Sequence, residues 1–185
     1  MPTVFSHPAV PLLLGVGLGG EAVPRRLLLA GVLASALPDL DLITARWGVP
    51  YSADLGHRGF SHSLLFAAVV ALAGAAAART LRATFARAFV FLFVAIGSHG
   101  VLDALTNGGL GVALLWPASG RRFFAPEALR VIEVSPIGLT PFLSARGVAV
   151  LESELWWIWL PALALGLILV GARRARSGRR DGGHS

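Results

Sequence analysis

The chain has 185 residues, 55% hydrophobic and 14% charged, with a mean hydropathy of +0.71, too apolar for a water-soluble domain of this size and suited to a bilayer. It contains no cysteine, which excludes disulfides and thiolate metal sites and leaves nitrogen and oxygen donors for any cation. The net charge of +6 comes entirely from arginine, set between apolar runs and in the C-terminal tail; the sidedness rule for membrane loops accounts for it without invoking nucleic acid.

No Lys or Arg precedes the first apolar run and no small-residue cleavage pattern follows it, so the N-terminal segment reads as part of the mature protein. That first run, residues 9–19, is glycine-rich, with Pro8 and Pro11 near its start. It is shorter than the roughly 20 residues a helix needs to span hydrocarbon, so tilted, re-entrant and buried placements are all open. The second, residues 23–37, carries Arg25 and Arg26 early and is expected to stop at Pro38.

The third run, residues 64–78, ends in Gly74 and a row of alanines that allow close helix approach. The fourth, residues 85–105, is aromatic in its first half and carries His99 and Asp103 in its second. Residues 106–153 read as a long irregular segment punctuated by Gly108, Gly109, Gly111, Pro117, Pro126, Pro136 and Pro141; loops of such length usually serve a function. The last run, residues 155–171, precedes Arg173, Arg174, Arg176, Arg179 and Arg180. The fold class is therefore all-α, a polytopic membrane helical bundle of about four to five segments with a long outer-face loop. Residues 1–172 form one membrane-embedded domain, and 173–185 an Arg/Gly-rich cytoplasmic tail expected to be disordered.

Alternating five spans puts Arg25 and Arg26, then Arg79, Arg82 and Arg87, then the tail on one side, which the arginine excess assigns to the cytoplasm. The outer side then receives His7, the Asp39/Asp41 corner, the His57–His62 island, the His99/Asp103 helix end and the long loop. Trp47, Trp116, Trp156, Trp157 and Trp159 fall there too, as interfacial tryptophans do.

The chemistry centres on Gly56-His57-Arg58-Gly59-Phe60-Ser61-His62-Ser63, a polar island in an oily chain. His99 and Asp103, four apart, stack on one helical face, and Asn107 continues the row if the helix persists. They form either a metal-ligand pair or a hydrogen-bonded glue between helices; ionisable groups inside spans favour the former. His57 and His62, five apart, share no helical face, so at least one lies in a loop, with Ser61 as the expected N-cap of the third span. Asp39 and Asp41 at a helix end oppose its dipole, a conflict that a cation removes. His7, beside Pro8, is a further candidate ligand, with no signal beyond its side of the membrane. Arg58, Arg121 and Arg122 could receive phosphate bidentately, although surface solvation or headgroup contact serves equally for the last two. Glu152 and Glu154 read as interfacial, and Gly108-Gly109-Leu110-Gly111 as turn chemistry rather than a phosphate loop.

With these residues the chain resembles the YdjM-like family of bacterial and archaeal inner-membrane proteins, described as metal-dependent hydrolases. The matching pieces are Pro38-Asp39-Leu40-Asp41, His57-Arg58-Gly59-Phe60-Ser61-His62-Ser63, Ser98-His99 with Asp103, and the stretch from Gly108 to Pro117. Ser61 stands where threonine is common and keeps the hydroxyl. The resemblance implies a hydrolase with metal ligands at Asp39, Asp41, His57, His62, His99 and Asp103. A fainter likeness, through the His-x-x-x-Asp pair, is to the zinc-dependent phospholipase C and P1 nuclease group.

The expectation is thus an outer-face membrane hydrolase holding one or more divalent cations, zinc first with manganese or iron compatible, and acting on a phosphoester of a lipid or lipid-linked molecule. His7 joins the implied ligands; Asp39 or Asp41 accepts a proton from water and Arg58 steadies developing charge. Substrate contacts are assigned to Arg58, Asn107, Arg121 and Arg122. The competing classes are a metal or proton carrier and a membrane scaffold with a structural metal, but a carrier would place ionisable groups through the membrane's depth, whereas here they gather toward one side.

Overall fold

Apolar runs rich in Leu, Val and Ala wind into helices in hydrocarbon because only there can the backbone satisfy its own hydrogen bonds. The computed structural model describes residues 1–136 and 138–181. Its helices are α1 (Ala9–Leu18), α2 (Arg25–Ala34), α3 (Leu64–Ala76), α4 (Phe85–Ala104), α5 (Leu139–Phe142), α6 (Ala145–Glu154) and α7 (Leu160–Asp181). Shorter 3-10 turns occupy Pro38–Trp47, Phe60–His62 and Glu127–Leu129, and a π-helical turn, Leu155–Trp159, joins α6 to α7. Among the described residues there is no strand, only the isolated bridges of Thr106 to Ile132 and Val112 to Phe123.

Three helical stretches are long and apolar enough to cross a membrane, namely Arg25–Trp47, Phe85–Ala104 and Ala145–Ser177; Ala9–Leu18 and Leu64–Ala76 are shorter. Their outward faces remain oily: Leu163, Leu165, Leu167 and Ile168 of α7 are exposed, as lipid contact requires. Inside, α3 lays Ala67, Ala71 and Ala75, spaced four apart on one face, into the main core with Leu27 of α2 and Ala88, Phe91, Leu92 and Ile96 of α4. Small side chains on α3 let the two backbones come close. The same logic holds at Gly100, where a Cβ would stand 2.6 Å from the His62 carbonyl oxygen, so α4 can meet the polar island only with glycine there.

Several local expectations change. The α-helix of the second run stops at Ala34, ahead of Pro38 as expected, but Pro38 then opens the 3-10 helix Pro38–Trp47, where its missing N–H costs nothing. Asp39 and Asp41 are therefore first-turn residues, on the side of a helix where negative charge is favoured rather than opposed. The cap of α3 is Ser63, whose Oγ accepts from the Phe66 N–H at 3.0 Å, and not Ser61. The segment 106–153 is not irregular throughout, since it contains α5 and α6, the latter capped by Ser144. Gly147 and the mixed polar sequence of α6 conceal it. The last helix runs to Asp181, into the stretch expected to be a disordered tail; residues 182–185 lie outside the described residues.

The N-terminal segment is held down by the end of α6. Glu154, only 1% exposed, accepts from the Thr3 backbone N–H, from Thr3 Oγ1 at 2.7 Å and from Ser6 Oγ at 2.8 Å; Ser6 Oγ in turn accepts from Trp159 Nε1 at 3.0 Å. Glu154 is thus an internal anchor and not an interfacial charge. Replacing Glu154 with Ala strands a backbone N–H and two hydroxyls in a buried place, and is expected to cost about 1–3 kcal/mol. Thermal unfolding of the detergent-solubilised protein measures this, and an unchanged midpoint contradicts it.

Candidate metal centre

Side chains from four separate pieces of chain meet at one buried point. The segment before α1 brings His7, the 3-10 helix Pro38–Trp47 brings Asp39, the turn before α3 brings His62, and α4 brings His99 and Asp103. His99 Nε2 lies 3.3 Å from Asp39 Oδ1 and 4.0 Å from Asp103 Oδ2, and His62 Nε2 lies 3.3 Å from Asp103 Oδ2 and 3.8 Å from Asp39 Oδ1. His7 Nε2 is 3.8 Å from Asp39 Oδ2 and 3.9 Å from Asp103 Oδ1, with its ring stacked on that of His99 at 3.5 Å between centroids. Both nitrogens of His7 and all four carboxylate oxygens of Asp39 and Asp103 are buried without a hydrogen-bond partner. Unpaired buried polar atoms are rare and costly, so such a concentration asks for a ligand between them.

The outward-facing nitrogens decide which lone pairs point inward. His99 Nδ1 donates to the Ser35 carbonyl at 2.7 Å, and a carbonyl can only accept; His62 Nδ1 faces Asp41 Oδ2 at 3.1 Å. In the neutral rings this puts both protons on Nδ1 and leaves both Nε2 atoms as bare acceptors. Yet those Nε2 atoms lie 3.1 Å apart. Two lone pairs at that distance repel unless a proton lies between them or a metal cation sits beside them. Among the described residues, His7, His99 and Asp103 offer ligand atoms all within 4.8 Å of one another, as do Asp39, His57 and His62.

Around this centre stands a supporting layer. Both oxygens of Asp41 are engaged, Oδ1 by His57 Nδ1 at 2.6 Å and Oδ2 by Ser61 Oγ at 2.5 Å, by the Arg58 N–H at 3.2 Å and by His62 Nδ1. Asp41 therefore orients a ligand rather than facing the cavity between ligands, the usual role of a carboxylate behind a metal-binding imidazole. His57 shares that carboxylate and stands edge-on to His62 at 5.3 Å between ring centroids.

Burial holds His7 down to about 3, with His99 adding to the effect, so its imidazole is neutral and able to ligate. Burial lowers His62 too, but the close carboxylates of Asp103, Asp39 and Asp41 outweigh it and raise the group to about 10. The carboxylates thus demand positive charge at this spot, which a proton meets in part and a divalent cation meets better.

The residues assigned to substrate fall elsewhere. Arg58 is fully buried and has a left-handed backbone at φ 64°; its Nε lies 3.2 Å from Asp103 Oδ2 while Nη1 donates to the Gly108 carbonyl and Nη2 to Thr106 Oγ1, each at 3.0 Å. It anchors Asp103 instead of awaiting a phosphate. Arg122 donates to the carbonyls of His57, Tyr51 and Ala53 at 3.0 Å each, tying down the island, and Arg121 is exposed over the Phe123 ring. Because α4 ends at Ala104, Asn107 leaves the His99/Asp103 row and accepts from the Val134 N–H at 3.0 Å. Glu154, which fixes the segment carrying His7, was read from the sequence as interfacial; a carboxylate at the head of an apolar run was the available signal for a buried role.

The profile of the family described as "YdjM inner membrane protein" matches residues 1–177. A curated protein of Escherichia coli (strain K12) named "Inner membrane protein YbcI" is 47% identical over 175 residues, spanning 94% of this chain and 100% of that protein. No solved structure matches the chain. With its apolar helices and near-complete coverage by the profile, the chain belongs to the YdjM family of inner membrane proteins.

Proposed function

We propose that this protein is a membrane-bound, metal-dependent hydrolase of phosphoesters, with its site on the outer face. One observation carries the reading: three imidazoles and two carboxylates converge, buried, with His7, Asp39 and Asp103 lacking hydrogen-bond partners. His7, Asp39, His62, His99 and Asp103 would hold the cation. Their nitrogen and oxygen donors suit zinc first, with manganese or iron compatible. A divalent ion there supplies the charge that polarises a phosphoryl oxygen and acidifies a bound water.

The chain's own groups do the rest. Of the two carboxylates, Asp39 is the one that Arg58 does not engage, and so is the one to take a proton from an attacking water. In hydrolysis the water oxygen forms the new bond to phosphorus, the bond to the alcohol oxygen breaks, and a proton leaves with the alcohol. The Asp41–His57 pair fixes His62, and Arg58 offsets the charge of Asp103 while holding its carboxylate in place. Sidedness is supported by the basic connections: Arg26 donates to the Thr80 carbonyl, Arg87 to that of Glu21, and Arg173 to those of Val16 and Gly17. These arginines bind at the ends of α1, α2 and α4 away from the residues of the His/Asp centre, as a cytoplasmic face would.

A structural cation is the competing reading, because every donor is buried and closed coordination is typical of structural sites. Metal analysis of the purified protein, paired with turnover on a panel of phosphomonoesters and phosphodiesters, separates the two. His99→Ala is expected to lose the bound metal and turnover together. Loaded metal with no turnover on the panel supports the structural reading, and undiminished metal in His99→Ala overturns both. Asp41→Asn, which disturbs the support and not the ligands, is expected to weaken cation affinity by about 10–100-fold. Competition against a chromogenic chelator reads that change, and parental affinity would contradict it.

A further inference from the structure

A cavity of about 490 Å³ lies between the N-terminal segment, the 3-10 helix Pro38–Trp47 and α5. Its wall is oily, with Val4, Phe5, Leu40, Leu42 and Phe142, and Asp39 also lines it. Asp39 belongs at once to this cavity and to the His/Asp centre, where its Oδ1 is 3.3 Å from His99 Nε2. Its side chain is more than nine-tenths buried and neither oxygen has a hydrogen-bond partner. Phe5 is 70% exposed and Leu40 66%, so the apolar wall continues onto the protein surface.

This arrangement orders two environments along one path, hydrocarbon outside and charge within. A water-soluble phosphate would gain nothing from the wall, and a plain hydrocarbon nothing from the cation that the His/Asp centre would hold; the Asp39 carboxylate itself repels an anionic head, so that cation is what would receive it. A second apolar cleft, between α1 and α7, is lined by Leu12, Leu13, Val16 and Leu163 and has no ionisable group, so nothing there selects a head. We propose that the cavity at Asp39 seats the hydrocarbon chain of an anionic membrane amphiphile, a long-chain phosphoester whose head rests at the His/Asp centre. Binding rests on the cation of the reading above, which would receive the anionic head; cleavage rests in addition on its hydrolase chemistry.

Alkyl phosphates of increasing length test the seat. A diazirine-bearing hexadecyl phosphate is photolysed with the metal-loaded protein in nanodiscs, and the adducts are mapped by mass spectrometry. Labelling is expected at the N-terminal segment, Leu40 and Phe142, with competition by butyl, octyl and dodecyl phosphate strengthening by up to about fourfold per buried methylene. Inorganic phosphate should not compete. Phe142→Asp, which sets a carboxylate on the wall, is expected to lower labelling by about tenfold or more, while Phe142→Leu preserves it. Labelling spread evenly over lipid-facing helices, insensitivity to chain length, or equal competition by inorganic phosphate each overturns the seat. Chain-length-dependent labelling with no release of hexadecanol establishes the seat and removes the hydrolase reading, so the two fail separately.

Discussion

Charge buried without a partner is the constraint around which this molecule is built. Asp39 and Asp103 bring two carboxylates into an interior closed to water, with His7, His62 and His99 pressed against them. Leaving anionic groups unpaired in a medium of low dielectric is expensive enough to oppose folding. Arg58 relieves part of this through Asp103, but its guanidinium lies to one side and leaves the space between the imidazoles unanswered. The arrangement becomes favourable when a cation takes that space, and the helices then have a reason to converge where they do.

Apolar packing positions the donors, while polar contacts aim them. The alanine face of α3 and Gly100 of α4 allow two backbones to approach until His62 and His99 touch. Then the Ser35 carbonyl and the Asp41 carboxylate turn each ring so that Nε2 faces inward. Removing either level would leave the same residues present but misdirected, which is why outer contacts weigh nearly as much as ligands in metal sites.

The helical class and the convergence of His7, Asp39, His62, His99 and Asp103 were legible from the chain, since ionisable residues in apolar runs stand out and i, i+4 spacing fixes a shared face. Roles within the cluster were less so. Asp41 and Arg58 lie within a residue or two of candidate ligands, and nothing in linear spacing tells a ligand from the group that orients it. Asn107 was misassigned because α4 stops at Ala104, a boundary set by bonds to the distant Ile132 and Val134. The α6 helix was hidden for a similar reason: its Gly147 and its charges read as loop until its buried face, Val150 and Glu154, is seen against the N-terminal segment.

The contact between Glu154 and Thr3 joins positions 151 residues apart. During synthesis, His62, His99 and the two aspartates emerge before Glu154 does, and the segment carrying His7, though made first, lacks its Glu154 anchor until the final span arrives. A nascent chain thus carries an incomplete cluster of donors that closes only once the polypeptide is nearly finished, so any cation held there would be enclosed at the end of membrane insertion.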